Sequence, residues 1–234
     1  TFERVELRRT DGGREVTTIT DGAISAAISP DAKTVLTGSQ DGKAELWSTE
    51  GGAAIATFVG HKGQVRSVAF SPNGRTVLTG SGDGTAKVWR QEGGDAITTF
   101  VAHQVESYNY ISIDSVAFSP DGRFVLTGSS NGLTELWPAE GGDLLETFEI
   151  NGSDVTSVAF SPDGATVLTG SSDKTARLWP IDPVLLAAPA EQMRIACIRL
   201  KDIGVTALSE ADLVRFPIVD RHTPHPCAKI WAGR

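Results

Sequence analysis

His61, Thr79 and Asp83 put an imidazole, a hydroxyl and a carboxylate on one short stretch of chain, the three group types of a nucleophilic triad. In such a triad the imidazole takes the hydroxyl proton and the carboxylate orients the ring. His222, His225 and Cys227 form a second set at His-x-x-His-x-Cys spacing, and these are zinc-binding residue types. Three ligands fall short of the four that a structural zinc site uses. Pro224 and Pro226 interleave them, so this stretch reads as an exposed, proline-stiffened tail with no metal. A phosphate-cradling glycine loop and a nucleophile elbow are absent from the sequence. Gly51-Gly52, Gly93-Gly94 and Gly141-Gly142 are paired glycines that recur with the rest of the chain, as turn residues do.

That recurrence decides how the first set is read. The phrase Ser-Pro-Asp/Asn-Gly-x-x-Val-Leu-Thr-Gly-Ser occupies residues 71–81, 119–129 and 161–171. A near copy fills 29–39, with Ala32 in place of the glycine. Trp47, Trp89, Trp137 and Trp179 follow the four copies at intervals of 42, 48 and 42 residues. A period near forty residues marks a repeat architecture. Thr37, Thr79, Thr127 and Thr169 hold one place in the repeat, and Asp41, Asp83 and Asp173 another. A catalytic hydroxyl is not supplied four times over, nor its carboxylate three times. A buried network that satisfies polar groups and fixes the packing would be. No cofactor is expected, and the chain reads as a non-enzyme.

The second copy gives the local fold. Val65–Phe70 alternates as an inner strand does. Ser71-Pro72-Asn73-Gly74 is a turn, with Pro72 presetting φ and Gly74 free to take positive φ. Residues 75–79 form the next strand, centred on Val77 and Leu78. Gly82-Asp83-Gly84 signals a hairpin, residues 85–89 a third strand, and residues 96–100 a fourth. Four short antiparallel strands in about forty residues make one propeller blade. A lone blade cannot bury both faces, so neighbours must stack. The fold class is all-β: about four blades over residues 1–181, then a small helical and proline-rich segment over 182–234. Residues 3–9 and 14–19 read as a third and a fourth strand, so the chain opens in mid-blade. Pro180 and Pro183 disfavour a fourth strand after Trp179, and residues 14–19 could supply it, in cis or from another copy.

Gly60-His61, the Ser-Pro-Asp/Asn-Gly turns, the Asp-Gly turns and the Leu/Val-Trp ending each third strand resemble the WD40 repeat family, from about Ala23 to Trp179. The tryptophans are followed by Ser48, Arg90, Pro138 and Pro180, never by aspartate. The resemblance implies a four-residue network in a blade, here His61, Thr79 (or Ser81), Asp83 and Trp89. Only that blade has the full set, because Asn131 stands at the aspartate's place near Trp137, and the blades of Trp47 and Trp179 lack the histidine. About seven blades is usual for the family. Three readings of the low count stay open: a fragment of a longer protein, an eight-bladed ring of two copies, or four blades closing alone. Residues 189–201 and 209–216 read as short helices. Ala196-Cys197, Thr206, Ser209-Glu210, Arg215-Phe216 and Pro226-Cys227 are similar to a tail found after bacterial WD40 propellers. That implies a bacterial source and an N-terminal effector module, such as a caspase-like peptidase, a kinase or an ATPase switch. Two buried free thiols are the default reading of Cys197 and Cys227, and since both match the tail pattern the resemblance also allows a disulfide between them.

The net charge of −8 disfavours nucleic acid and an anionic membrane surface as partners, since both call for basic residues. No apolar run is long enough to span a bilayer, and two cysteines fit a cytoplasmic setting. Family propellers bind mainly on the face carrying the loops between a fourth strand and the next first strand. At the place of Arg66 the other copies have Ile24, Asp114 and Thr156, and Lys62 and Gln64 share its loop. The 48-residue interval marks an insertion that holds both tyrosines of the chain, Tyr108 and Tyr110, around Asn109. Tyrosine combines large contact area with a polar handle and is enriched at binding hot spots. The expected role is a scaffold or sensor that docks a protein or peptide there. The alternative is a structural propeller half that completes a ring with a second copy or with the rest of a longer signalling protein.

Overall fold

In a computed structural model, residues 4–8, 15–103, 110–150 and 152–187 are described. The chain divides into two compact units, Thr1–Pro180 and Ile181–Arg234. Among the described residues, the strands of the first pair in antiparallel sheets. A hairpin of β1 (Arg4–Arg8) and β2 (Glu15–Asp21) comes first. The first full sheet has β3 (Ala23–Ile28), β4 (Thr34–Ser39), β5 (Lys43–Ser48) and β6 (Ala56–Val59). The second has β7 (Val65–Phe70), β8 (Thr76–Ser81), β9 (Thr85–Arg90) and β10 (Ala96–Val101). The third has β11 (Ile113–Phe118), β12 (Phe124–Ser129), β13 (Leu133–Pro138) and β14 (Glu146–Glu149). The fourth stops at three strands, β15 (Val155–Phe160), β16 (Thr166–Ser171) and β17 (Ala176–Pro180).

Each sheet is a meander whose strands follow in chain order, and in the four larger sheets the connections are short. The Ser-Pro-Asn-Gly turn between β7 and β8 explains why. Gly74 N–H bonds to the Ser71 carbonyl at 2.9 Å, and the Ser71 hydroxyl both contacts Asn73 and accepts from Thr76 N–H at 3.0 Å. Gly74 sits at φ +69°, a left-handed conformation open to glycine at little cost. Ala32 takes the same conformation at φ 58° in the first sheet.

The hydrophobic core lies between sheets. Leu36, Ala44, Leu46 and Phe58 of the first sheet pack with Val65, Val68, Val77 and Trp89 of the second. Leu78, Ala86, Val88 and Phe100 of the second pack with Ile113, Val116, Val125 and Trp137 of the third. At each boundary a glycine admits the next sheet. A Cβ on Gly80 would stand 2.7 Å from Val116 Cγ1, and one on Gly128 the same distance from Val155 and Val158. Any larger residue would force the sheets apart. Serines stitch the inner strands together, since Ser67 Oγ accepts from Val116 N–H at 3.1 Å and Ser115 Oγ from Val158 N–H at 3.0 Å.

In the second unit the described part is short. Its one helical turn, α1 (Pro183–Leu186), has proline at the start, where no intrahelical N–H bond is needed. The sequence signals pointed only to helices further on. Those helices, Cys197, Cys227, His222 and His225 all lie outside the described residues.

Candidate interaction site

Two groups of residues meet at the end of the second sheet where β7 begins and β8 hands over to β9. The inner group is the polar network. His61 Nδ1 lies 3.1 Å from Asp83 Oδ2, and Nε2 lies 2.7 Å from Thr79 Oγ1. Trp89 Nε1 donates to the same hydroxyl oxygen at 2.9 Å. With Nδ1–H facing the carboxylate, Nε2 is the acceptor for the threonine hydroxyl. Asp83 also accepts from the Thr85 hydroxyl at 2.7 Å and from Lys62 N–H at 2.7 Å. Burial acts against the Asp83 charge, and the bonds from His61, Thr85 and Lys62 outweigh it, holding this carboxyl well below its usual range. The His61 side chain is 2 % exposed, and Thr79 is fully buried beneath it. A hydroxyl so placed cannot reach a substrate. The set is chemically a triad and sterically a clamp, tying the loop before β7 to the β8–β9 turn.

The tryptophan-to-threonine bond recurs in every full repeat, from Trp47 to Thr37 at 2.9 Å, Trp137 to Thr127 at 3.2 Å and Trp179 to Thr169 at 2.9 Å. The histidine part does not. In the third sheet Asn131 Nδ2 donates to the His103 carbonyl at 2.8 Å. The His103 ring turns outward instead. It stacks on Trp137 with ring centroids 5.6 Å apart, and its Nδ1 lies 2.6 Å from Glu135 Oε1. Sequence reasoning passed over Glu135. Its cue was weak: Glu45, Lys87 and Arg177 hold the matching places, so the position has no fixed character. Burial pushes the Glu135 carboxyl above the usual range, further than the His103 contact lowers it.

The outer group is exposed. Lys62, Gln64 and Arg66 alternate along the chain into β7, and all three face solvent. Arg66 Nη1 bonds to Asp114 Oδ1 at 2.9 Å, joining the second sheet to the third. Ser112 Oγ holds the same Asp114 oxygen at 2.8 Å. The Tyr110 hydroxyl donates to the Gly82 carbonyl, which fixes the ring while leaving the residue 66 % exposed. Gly82 is the point where the two groups touch, since a Cβ there would meet Tyr110 Oη at 3.2 Å and Arg66 Nε at 3.4 Å. The structure thus brings Tyr110, Arg66, Gln64 and Asp114 together. Tyr108 and Asn109 lie outside the described residues. Among the described residues, no group of three or more His, Cys, Asp or Glu is placed to hold a metal, and no helix is long and apolar enough to cross a membrane.

Comparison with known proteins agrees with this architecture. A 44-residue stretch is 43% identical to the periodic tryptophan protein 2 homolog of Dictyostelium discoideum. That stretch is 19% of this chain and only 5% of the relative, so the likeness concerns the repeat and not the whole protein. The family model described as WD domain, G-beta repeat matches residues 13–48, 52–90, 94–137 and 142–180. The last three matches each start just before the fourth strand of one sheet and end with the third strand of the next, the unit that a Phe–Trp contact between sheets ties together. With well over half of its residues inside these four matches, the chain belongs to the WD40 repeat family.

Proposed function

We propose that the chain is a non-catalytic scaffold that binds a protein or peptide at the surface formed by Tyr110, Arg66, Gln64, Lys62 and Asp114. One observation carries the reading: Tyr110 is two-thirds exposed, yet its hydroxyl is anchored on Gly82 beside the Arg66–Asp114 pair. A pre-ordered aromatic ring loses little freedom on binding, and beside a guanidinium it offers both apolar area and directional polar contact. The clamp of His61, Thr79, Asp83 and Trp89 lies directly behind and keeps this platform stiff. WD40 repeats supply such scaffolds, and the partners belong to the cytoplasm in this reading.

The experiment compares proteins retained by the wild-type chain with those retained by Tyr110→Ala/Arg66→Ala and by Arg75→Ala, which alters the opposite end of the strands. The expected result is a partner set lost with the first variant and kept with the second. Retention of every partner by Tyr110→Ala/Arg66→Ala rejects this surface.

A further inference from the structure

The fourth sheet presents one face that its three counterparts bury. Leu36, Leu78 and Leu126 are fully buried, and Leu168, at the matching place, is 42 % exposed. Leu46, Val88 and Leu136 are buried to the same degree, and Leu178 is 71 % exposed. Ala44 and Ala86 are buried, and Ala176 is exposed. Gly38, Gly80 and Gly128 each receive a valine or isoleucine from the following inner strand, whereas nothing lies closer to a Cβ on Gly170 than Ser157 Cβ at 3.6 Å. Ser67 and Ser115 each accept an N–H from the next inner strand, and Ser157 holds their place and is exposed. Leu168, Gly170, Ala176, Leu178 and Ser157 are therefore one intact half of an interface that the chain makes three times within itself.

The other half is open in part at β3. In β7, Val65, Val68 and Phe70 face the preceding sheet, and Ile113, Val116 and Phe118 do so in β11. The matching residues of β3 are Ala23, Ala26 and Ile28, by the same register and the same bulge. Ala23 is buried, whereas Ala26 is exposed and Ile28 is 61 % exposed. On the side of β3 away from β7, β1 is the strand in contact among the described residues, touching β3 as β5 touches β7 and β13 touches β15, which is the minor contact of each boundary. The more extensive contacts of each boundary run from inner strand to inner strand, β3 on β7, β7 on β11 and β11 on β15, backed by β4 on β7, β8 on β11 and β12 on β15; on the other side of β3 none of comparable extent is made among the described residues.

We propose that this apolar face takes a second copy of this chain, head to tail, with β16 and β17 of one copy set against β3 of the other. Continuity with the internal boundaries argues for that occupant: the face is shaped for an inner strand, and this chain carries an inner strand whose facing side is exposed at Ala26 and Ile28. Ala26 N–H of one copy then meets Ser157 Oγ of its partner, as Val116 N–H meets Ser67. The hairpin of β1 and β2 yields its place beside β3 to the incoming β17. A contact between unlike surfaces either closes into a ring or continues as a filament.

The test is the mass in solution of the full chain across the micromolar range, by sedimentation equilibrium. Wild type is expected to associate as concentration rises. Leu178→Asp disables one half and Ala26→Arg the other, and each alone is expected to weaken association about ten-fold or more. Both positions are exposed, so unchanged circular dichroism and melting are the check on folding. Mixed together, the two variants keep one sound interface between them, so they form a one-to-one pair and stop there. A wild-type monomer at every concentration overturns the proposal and leaves the face to a different blade. Association insensitive to both substitutions overturns it as well, as does a mixture that fails to pair when the wild type associates.

Discussion

His61 Nδ1 and Asp83 Oδ2 stand 3.1 Å apart, and the asparagine that replaces this aspartate in the next sheet has lost its histidine to solvent. Asp83 gathers donors from His61, Thr85 and the Lys62 backbone, and an amide at that position has one acceptor oxygen and cannot serve them all.

Asp83→Asn is expected to cost about 2 kcal/mol of stability, the range for hydrogen bonds to a charged group lost from a mostly buried site. The pH dependence follows from the direction of the shift. The folded carboxyl sits below its unfolded value, so its contribution is complete above about pH 4 and fades as pH falls toward the folded value. Urea unfolding measured between neutral and acid pH should show that fading in wild type and a flatter acid limb in the variant. Equal acid limbs would mean that Asp83 does not govern it.

Asn131→Asp makes the converse change in the third sheet. A carboxylate there offers the His103 ring what Asp83 offers His61, against the competing pull of Glu135 at 2.6 Å. His103 is 56 % exposed at its side chain, so its imidazole should react readily with an acylating reagent. In Asn131→Asp/Glu135→Gln the ring is expected to turn inward and its reaction rate to fall toward that of His61. An unchanged rate would show that stacking on Trp137, not the carboxylate, sets the orientation.

How far the residues foretold this depends on the range of the interaction. The strand Val65–Phe70 was legible to the residue, because turn chemistry and alternation are local signals. The second strand ran later than expected, Thr76–Ser81 rather than residues 75–79, since its end is set by a Ser81 hydroxyl that binds the Gly63 carbonyl eighteen positions back. Burial of the repeated leucine was not legible at all. Thr-Val-Leu-Thr-Gly-Ser is identical around Leu36, Leu78 and Leu168, and only the neighbour across the sheet boundary separates a buried leucine from an exposed one. Tyr110 was legible as an exposed aromatic, but its anchor on Gly82, twenty-eight positions away, was not.

Thr134 is a place where the repeat itself supplies the control. Ala44, Ala86 and Ala176 occupy the same position, and the Thr134 hydroxyl is buried without a hydrogen-bond partner. Leaving a hydroxyl in that state costs on the order of 1–3 kcal/mol, partly offset by the packing of its methyl group. Thr134→Ala should therefore raise stability by about 1 kcal/mol, read as a higher urea midpoint at unchanged slope. A lower midpoint would show that the methyl group outweighs the stranded oxygen.

Ala32 carries a backbone strain that its counterparts avoid. It holds φ at 58°, where Gly74, Gly122 and Gly164 hold +69°, +73° and +70° at the same turn. A Cβ in that region costs roughly 1–2 kcal/mol, and glycine relieves it while giving back some entropy to the unfolded chain. Ala32→Gly is expected to stabilise the chain by about 1 kcal/mol, where a glycine placed at random would destabilise. Lys174, at φ 69° where Gly42, Gly84 and Gly132 stand in the other copies, gives an independent case, and Lys174→Gly should behave alike. The two sites share no hydrogen-bond partners, so the double variant should gain the sum of the two. Thermal melting of the four proteins is sufficient. If both substitutions lower the melting point, the left-handed backbone at these turns is not strained, and the glycines of the repeat serve some need other than φ.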